Sequence, residues 1–346
     1  PLYHDMGLIG FVLGTIIWDI QVVLMPTATF ARMPRIWLES IQKYNGTITY
    51  APNFAYALVT KRLKDADIAS LDLSKLRCAG CGAEPIRGQT LLDFAKRLAP
   101  TGFDGDKAFL PSYGMAESTL AITFHPLGTP IVLDKVDADA MKRGVATPAT
   151  AESRQVLELV SCGVTFPEHD LKVVDDKGNE LGERQVGEAI VRGPSVTAGY
   201  YKNEAATNEA WRNGWLHTGD LAYRADGNVY ICGRVKDLII INGANHYPQD
   251  IEWVVGDIEG VRRGNVVAFS VLDDGVERLV ILAEGNSGDA PRLREQIVQA
   301  VSESFGLQTS HVGVVGVGAL PKTSSGKAQR RKSKAMYENG EFQEHA

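Results

Sequence analysis

Cysteine is scarce in this chain: Cys78, Cys81, Cys162 and Cys232 are the four among 346 residues. So few exclude a disulfide framework and predict a reducing compartment, the cytoplasm. Cys78 and Cys81 form a C-x-x-C pair, but neither Cys162 nor Cys232 has a second cysteine nearby, so packing cysteines are expected rather than a zinc site. An excess of positive charge is lacking too. Lys and Arg number 36 against 42 Asp and Glu, a net charge of -6, which excludes a general field for nucleic acid or an anionic membrane surface. The basic stretch Lys322 to Lys334 has no interleaved aromatic residue for base stacking, so no nucleic-acid partner is expected. Long apolar runs are also missing. Leu8 to Met25 is interrupted by Asp19 and Gln21 and falls short of the roughly 20 residues a membrane span requires. A buried helix and strand are expected there, with no integral membrane association. No signal-peptide pattern opens the chain, and Pro1 begins in mid-pattern, which predicts a piece of a longer protein.

What is present is an alternation of periods. "RMPRIWLESIQKYNG" has apolar residues at helical spacing and stops at Gly46, "TITYAPN" reads as a β-branched strand, and "QTLLDFAKRLAP" is a second helix halted by Pro100. Such alternation predicts an α/β layer with a parallel sheet. From about Leu171 short strands separated by Asp-Gly and Lys-Gly turns predict a small antiparallel, β-barrel-like subdomain over about 166–235. Between the two, about 134–165 is rich in charged and small residues with little periodicity, and reads as an insertion across the surface. Beyond Lys236 a helix (Pro248 to Ile258), two strands around Asp273-Asp274-Gly275, a helix (Arg292 to Phe305) and a last strand predict a small α+β domain. The expected domains are therefore 1–235, the C-terminal portion of a larger α/β domain, and 236–346.

Four short stretches could carry chemistry. "PSYGMAEST" sets Tyr113 beside Gly114, where a ring can lie on a planar ligand, with Glu117 four residues on to hold a divalent cation. "GCGAEPI" turns at the end of a strand, the place where ligands sit in open α/β sheets. "WLHTGDLAY" puts Asp220 at a turn, free to accept ribose hydroxyls. "LPKTSSGKAQRR" fails as a Walker phosphate loop, since Ala328 follows Lys327 and no Gly stands in register. It fits a loop that delivers one Lys to an anion.

In this order, Tyr-Gly-x-x-Glu, Thr-Gly-Asp, Gly-Arg-x-Lys-Asp and Pro-Lys-Thr-x-x-Gly-Lys, the chain resembles the adenylate-forming superfamily of acyl-CoA synthetases, luciferases and nonribosomal adenylation domains. The resemblance implies ATP and Mg2+ as cofactors. It implies that Tyr113 stacks on adenine, with Gly114 and Met115 beside it, that Gly82, Ala83 and Glu84 line the base, that Asp220 holds the ribose and that Arg234 assists. Glu117 would coordinate Mg2+, and Lys327 would reach both the carboxylate and the α-phosphate. His4, in "YHDMG", would border the acyl pocket, and Lys236 matches the hinge of a mobile small domain.

Within the superfamily, Ala116 in place of a common Thr, "APNFAYAL", "NHYPQDIE" and an insertion closing on Leu159 to Gly163 resemble the fatty acyl-AMP ligase branch. That implies a fatty acid substrate, with Asn53 and Phe54 near the acyl pocket. It also implies an acyl carrier protein, or the carrier domain of a polyketide or nonribosomal synthase, as acceptor. An acyl-CoA ligase and a non-catalytic AMP-binding module are the alternatives. The superfamily's upstream Thr/Ser/Gly-rich phosphate loop has no counterpart after Pro1, so these 346 residues are expected to make no acyl-adenylate by themselves.

Overall fold

In the computed structural model, which describes residues 1–323 and 326–345, the chain divides into two compact units. The first comprises Pro1–Asp137, Ala146–Glu152 and Val156–Cys232; the second comprises Ala138–Val145, Ser153–Gln155 and Gly233–Ala346.

The first unit holds the α/β layer. The helix Arg35–Tyr44 buries Leu38 and Ile41 and ends where Asn45 turns left-handed at φ 52°, a conformation that Asn tolerates better than other side chains. Strands β1 (Ile48–Ala51), β2 (Cys78–Cys81) and β3 (Phe109–Gly114) pair in parallel. Strand β4 (Ala121–Phe124) returns antiparallel to β3. The helices Asn53–Arg62 and Gly88–Leu98 lay Tyr56, Val59, Leu91, Phe94 and Leu98 into the core under the sheet. Tyr56 meets Phe94 edge-on at 4.9 Å between centroids, a favoured aromatic geometry.

The stretch expected as an insertion across the surface has structure of its own. Strands β5 (Leu133–Asp137) and β6 (Val156–Val160) form an antiparallel ribbon. Asp134 fastens it by accepting from Tyr223 Oη at 2.7 Å and from Arg184 Nη1 at 2.9 Å. Those partners lie 89 and 50 residues away, respectively, which is why local periodicity gives no sign of the ribbon. Strand β7 (Val164–Thr165) then adds to β4. The helix Ala138–Lys142, between β5 and β6, belongs to the second unit and buries Ala140 and Met141.

Strands β8 (Asp170–Val174), β9 (Gly187–Arg192), β10 (Trp211–Arg212), β11 (Trp215–Ala225) and β12 (Asn228–Arg234) follow as an antiparallel sheet in the order β10-β11-β9-β8, with β12 on β11. Asp226 and Gly227, both at positive φ, make the two-residue turn between β11 and β12, as a type I′ hairpin requires.

In the second unit β13 (Ile239–Ile241) and β14 (Ala244–His246) form a small hairpin. Strands β15 (Val266–Asp273), β16 (Val276–Glu284) and β17 (Thr309–Val315) form a sheet buried on both faces. Val266, Ala268, Leu279 and Ile281 pack with Ile251 and Val255 of the helix Pro248–Gly256 and Leu293, Ile297 and Val301 of the helix Ala290–Phe305. Val267, Phe269, Val280 and Leu282 face the other way, toward Tyr337 of the helix Arg330–Glu338. Alternate residues going to opposite layers is the period of two expected of strands.

Leu8 to Met25 departs from the buried helix and strand expected of it. Met6–Leu13 winds as a π-helix and Gly14–Ile17 as one α turn, while residues 20–26 form no strand. Ile16, Ile17 and Trp18 are 71%, 74% and 76% exposed. The run is apolar on every side, so no single face can be turned inward, and Asp19 at φ 49° breaks its course. No helix among the described residues is long and apolar enough to cross a membrane.

Candidate active site

The carboxyl ends of β1, β2 and β3 open on one edge of the parallel sheet, where α/β folds hold ligands. After β2 the chain turns through Gly82, Ala83 and Glu84. A Cβ on Gly82 would stand 2.8 Å from Ser112 Oγ and 3.0 Å from its carbonyl oxygen, so only glycine lets β2 leave beside β3 at this point. Ala83 follows at φ 70°, a strained conformation for a residue with a Cβ, of a kind that clusters at functional sites. Glu84 Oε1 accepts the Phe54 N–H at 2.6 Å, and Asn53 Oδ1 accepts the Arg87 N–H at 3.2 Å. The structure thus brings Asn53, Phe54 and Glu84 together at the start of the helix after β1, where a carboxylate also meets the positive end of the helix dipole.

Tyr113 lies buried near the end of β3, next to a register shift between it and Gly114 where β4 pairs. Its Oη donates to Asp220 Oδ2 at 2.7 Å. Asp220 sits in an irregular stretch of β11, between His217 and Leu221, that local bonds hold in shape. The Gly219 N–H donates to Glu188 Oε1 at 3.0 Å, His217 Nδ1 lies 2.8 Å from Glu188 Oε2, and the Asp220 N–H donates to Thr218 Oγ1 at 3.1 Å. Thr218 Oγ1 in turn donates to the Ala189 carbonyl at 2.7 Å. Tyr113 and Asp220 were legible as candidates. Glu188 was not, and its one signal is a charged residue inside the otherwise apolar strand "GEAIVR".

Past Tyr113 and Gly114, Met115 packs into the core shared with β8, β9 and β11, and Glu117 lies in the short turn Ala116–Ser118. Glu117 is half-buried, and its Oε1 accepts from Tyr200 Oη at 2.6 Å. That hydrogen bond is the main reason the Tyr200 pKa is raised to about 12. Tyr200, too, went unread in the sequence. Mg2+ binds through one or two carboxylates and fills its remaining positions with phosphate oxygens and water. Glu117, a lone carboxylate engaged by one neutral donor, fits that mode. Among the described residues no group of three or more His, Cys, Asp or Glu could hold a metal by itself. The C-x-x-C cysteines are buried in β2 with their thiols shifted up by burial.

His4 pairs with the neighbouring Asp5 just before the π-helix, and it is half-buried. Arg234, Lys236 and Lys327 lie in the second unit. Arg234 ends β12, and Lys236 is the exposed centre of the single turn Val235–Asp237. Lys327 lies in a hairpin defined by one antiparallel bridge between Lys322 and Ala328; Ser324 and Ser325, in the loop suggested by its Ser and Gly neighbours, fall outside the described residues. The Thr323 N–H donates to the Lys327 carbonyl at 2.8 Å, the Lys327 N–H to Thr323 Oγ1 at 3.1 Å, and the Gln329 N–H to the Pro321 carbonyl at 2.9 Å.

Residues 1–201 match the family model described as AMP-binding enzyme, and residues 236–346 match one described as Disco-interacting protein 2-like, AMP domain. A Caulobacter vibrioides protein provisionally named an acyl-CoA synthetase is 40% identical over 99% of this chain and 60% of its own length. A Mycobacterium tuberculosis protein provisionally named a long-chain-fatty-acid–AMP ligase is 36% identical over 97% of this chain and 61% of its own. A solved structure from work on fatty acyl-adenylate ligases of E. coli and L. pneumophila superposes with a TM-score of 0.93 at 36% identity, covering 99% of this chain and 61% of that one. The chain therefore spans about 60% of the length of the curated relatives it matches.

Proposed function

Because the chain belongs to the AMP-binding enzyme family, we propose that it forms part of a fatty acyl-AMP ligase, which joins a fatty acid to AMP from ATP and releases pyrophosphate. The observation that carries the reading is the Tyr113–Asp220 hydrogen bond at the carboxyl edge of the sheet. It joins a ring suited to adenine and a carboxylate suited to ribose across 107 residues. The fatty acyl-AMP ligase names among the relatives support the substrate class.

In this reading a carboxylate oxygen attacks the α-phosphorus, a bond forms there, and the bond to the β-phosphate oxygen breaks. Both reactants are anions, so catalysis is chiefly positioning and charge neutralisation. Gly82, Ala83 and Glu84 line the base, Tyr113 stacks on it with Gly114 and Met115 alongside, Asp220 accepts the ribose hydroxyls, and Arg234 assists. Lys327 brings a positive charge to the reacting oxygens. Bound Mg2+, held through Glu117, would neutralise phosphate charge. His4, Asn53 and Phe54 border the acyl chain, and Lys236 is the pivot of the small domain. The ribbon β5–β6 is the branch-specific insertion, which favours transfer to the pantetheine arm of a carrier protein over free CoA. A second reading, an acyl-CoA ligase, has the Caulobacter relative's name in its favour.

The deciding experiment supplies the protein that carries these residues with ATP, Mg2+, a panel of fatty acids and CoA, and identifies products by mass spectrometry. Acyl-AMP with CoA unconsumed is expected. Acyl-CoA as the main product would establish the second reading. AMP binding with no acyl product would leave only a nucleotide-binding module. The 346 residues run alone are expected to give no acyl-AMP.

A further inference from the structure

Three residues beyond Lys327 the chain enters the helix Arg330–Glu338, and the side chain that opens it has an unusual setting. A cation at the first turn of a helix faces the positive end of the helix dipole and is disfavoured there. Arg330 is nonetheless only 20% exposed, and carboxylates surround its guanidinium. Nη1 donates to Asp237 Oδ2 at 2.5 Å, Nη2 lies 2.9 Å from each Glu252 carboxylate oxygen, and Nε is 3.1 Å from Glu252 Oε1. Asp237 and Glu252 are only 13% and 15% exposed. Glu252 Oε1 also accepts the Ala268 N–H of β15 at 3.0 Å. One planar fork thus ties together the turn Val235–Asp237, the helix Pro248–Gly256 and, through Glu252, the central sheet of the second unit.

The same residue ends the hairpin that carries Lys327. Pro321–Gln329 and Thr323–Lys327 backbone bonds close that hairpin, and Lys322 and Ala328 bridge between them. Gln329, which closes the pairing with Pro321, directly precedes Arg330. Asp237, at the other end of the fork, is the neighbour of Lys236. A bidentate guanidinium holds direction as well as distance, which an ammonium cannot do.

We propose that Arg330 is a positioning residue for Lys327: its clasp on Asp237 and Glu252 fixes the base of the Lys327 hairpin to the turn containing Lys236, so that both belong to one rigid piece. The kinetic consequence rests on the proposed role of Lys327 at the reacting carboxylate and α-phosphate; the clasp itself does not.

The test therefore has two readouts on the protein that carries these residues. The first is hydrogen exchange at the Lys327 and Gln329 amides in Arg330→Met and Asp237→Asn. Exchange at least ~10-fold faster than in the parent is expected, since the opening free energy of the hairpin falls. Unchanged exchange overturns the clasp, whatever reaction the protein catalyses. The second is acyl-AMP formation by Arg330→Met, Arg330→Lys, Lys327→Ala and the Lys327→Ala/Arg330→Met double variant. Arg330→Met is expected to lower kcat roughly 10- to 100-fold with the ATP KM within about 3-fold, and Arg330→Lys not to restore it. In the double variant the second change should add no further loss, because Arg330 acts only through Lys327. Independent, multiplying losses would overturn the positioning role. Should Arg330→Met not fold, Asp237→Asn, which keeps the Glu252 pair, carries the same comparison with Lys327→Ala. A parent protein that forms no acyl-AMP refutes the proposed function and leaves the exchange result to judge the clasp.

Discussion

The Tyr113 hydroxyl and the Asp220 carboxylate are buried together and share a hydrogen bond of 2.7 Å. Tyr113→Phe keeps the ring and removes the donor, leaving a buried carboxylate short of one bond. Weakened ATP binding by about 1.4 kcal/mol, a tenfold higher KM, is expected; an unchanged KM would mean that Asp220 needs no support from Tyr113. Both residues stood out in the sequence as candidates by their neighbours, Gly114 and Gly219, which the structure places within β3 and β11 rather than at turns. Glu188, Tyr200 and Arg330 did not, because each acts on a residue far away in the chain. Gly163 shows the opposite risk. Its place in a branch-like Leu-Val-Ser-Cys-Gly stretch suggests a functional mark, yet the structure gives it a packing reason. It stands at φ 77°, and a Cβ there would lie 1.9 Å from the Phe124 carbonyl oxygen. Gly163→Ala should cost more than ~2 kcal/mol in a urea titration.

Among elements, those held by local signals were legible. The Asp226-Gly227 and Asp274-Gly275 turns, both at positive φ, sit where the strand reading put them, because a two-residue hairpin demands such residues. The helices Gly88–Leu98 and Ala290–Phe305 follow their apolar spacing. The ribbon β5–β6 was hidden because its fastening at Asp134 comes from distant side chains. Strand β14 has a measurable property of its own. Burial, with a smaller contribution from Lys142, pushes the His246 pKa down to about 4, while an unfolded histidine titrates near 6.5. Between those values the unfolded state binds more protons, so stability is fully present above about 6.5 and is lost as pH falls toward 4. Stability of the second unit should drop by about 2 kcal/mol from pH 7 to pH 5. His246→Gln should flatten that slope, and a slope equal to the parent's would contradict the linkage.

For the whole molecule, α/β alternation was enough to give the fold class, since βα succession leaves few sheets to build. The two units have separate apolar cores, Leu38 to Phe109 and Tyr113 to Val229 in the first, Ile239 to Val314 in the second. Calorimetry is expected to give more than one transition, with a calorimetric enthalpy above the van't Hoff value; a single two-state peak would show that the cores melt as one. The four cysteines have a further use. All are buried and none forms a disulfide, and burial pushes the Cys162 thiol up to about 12. A thiol needs its thiolate and access to solvent to react, so the folded chain is already a blank background for maleimide chemistry. One cysteine placed on the surface of either unit would take a fluorophore or spin label alone, without first stripping the native four.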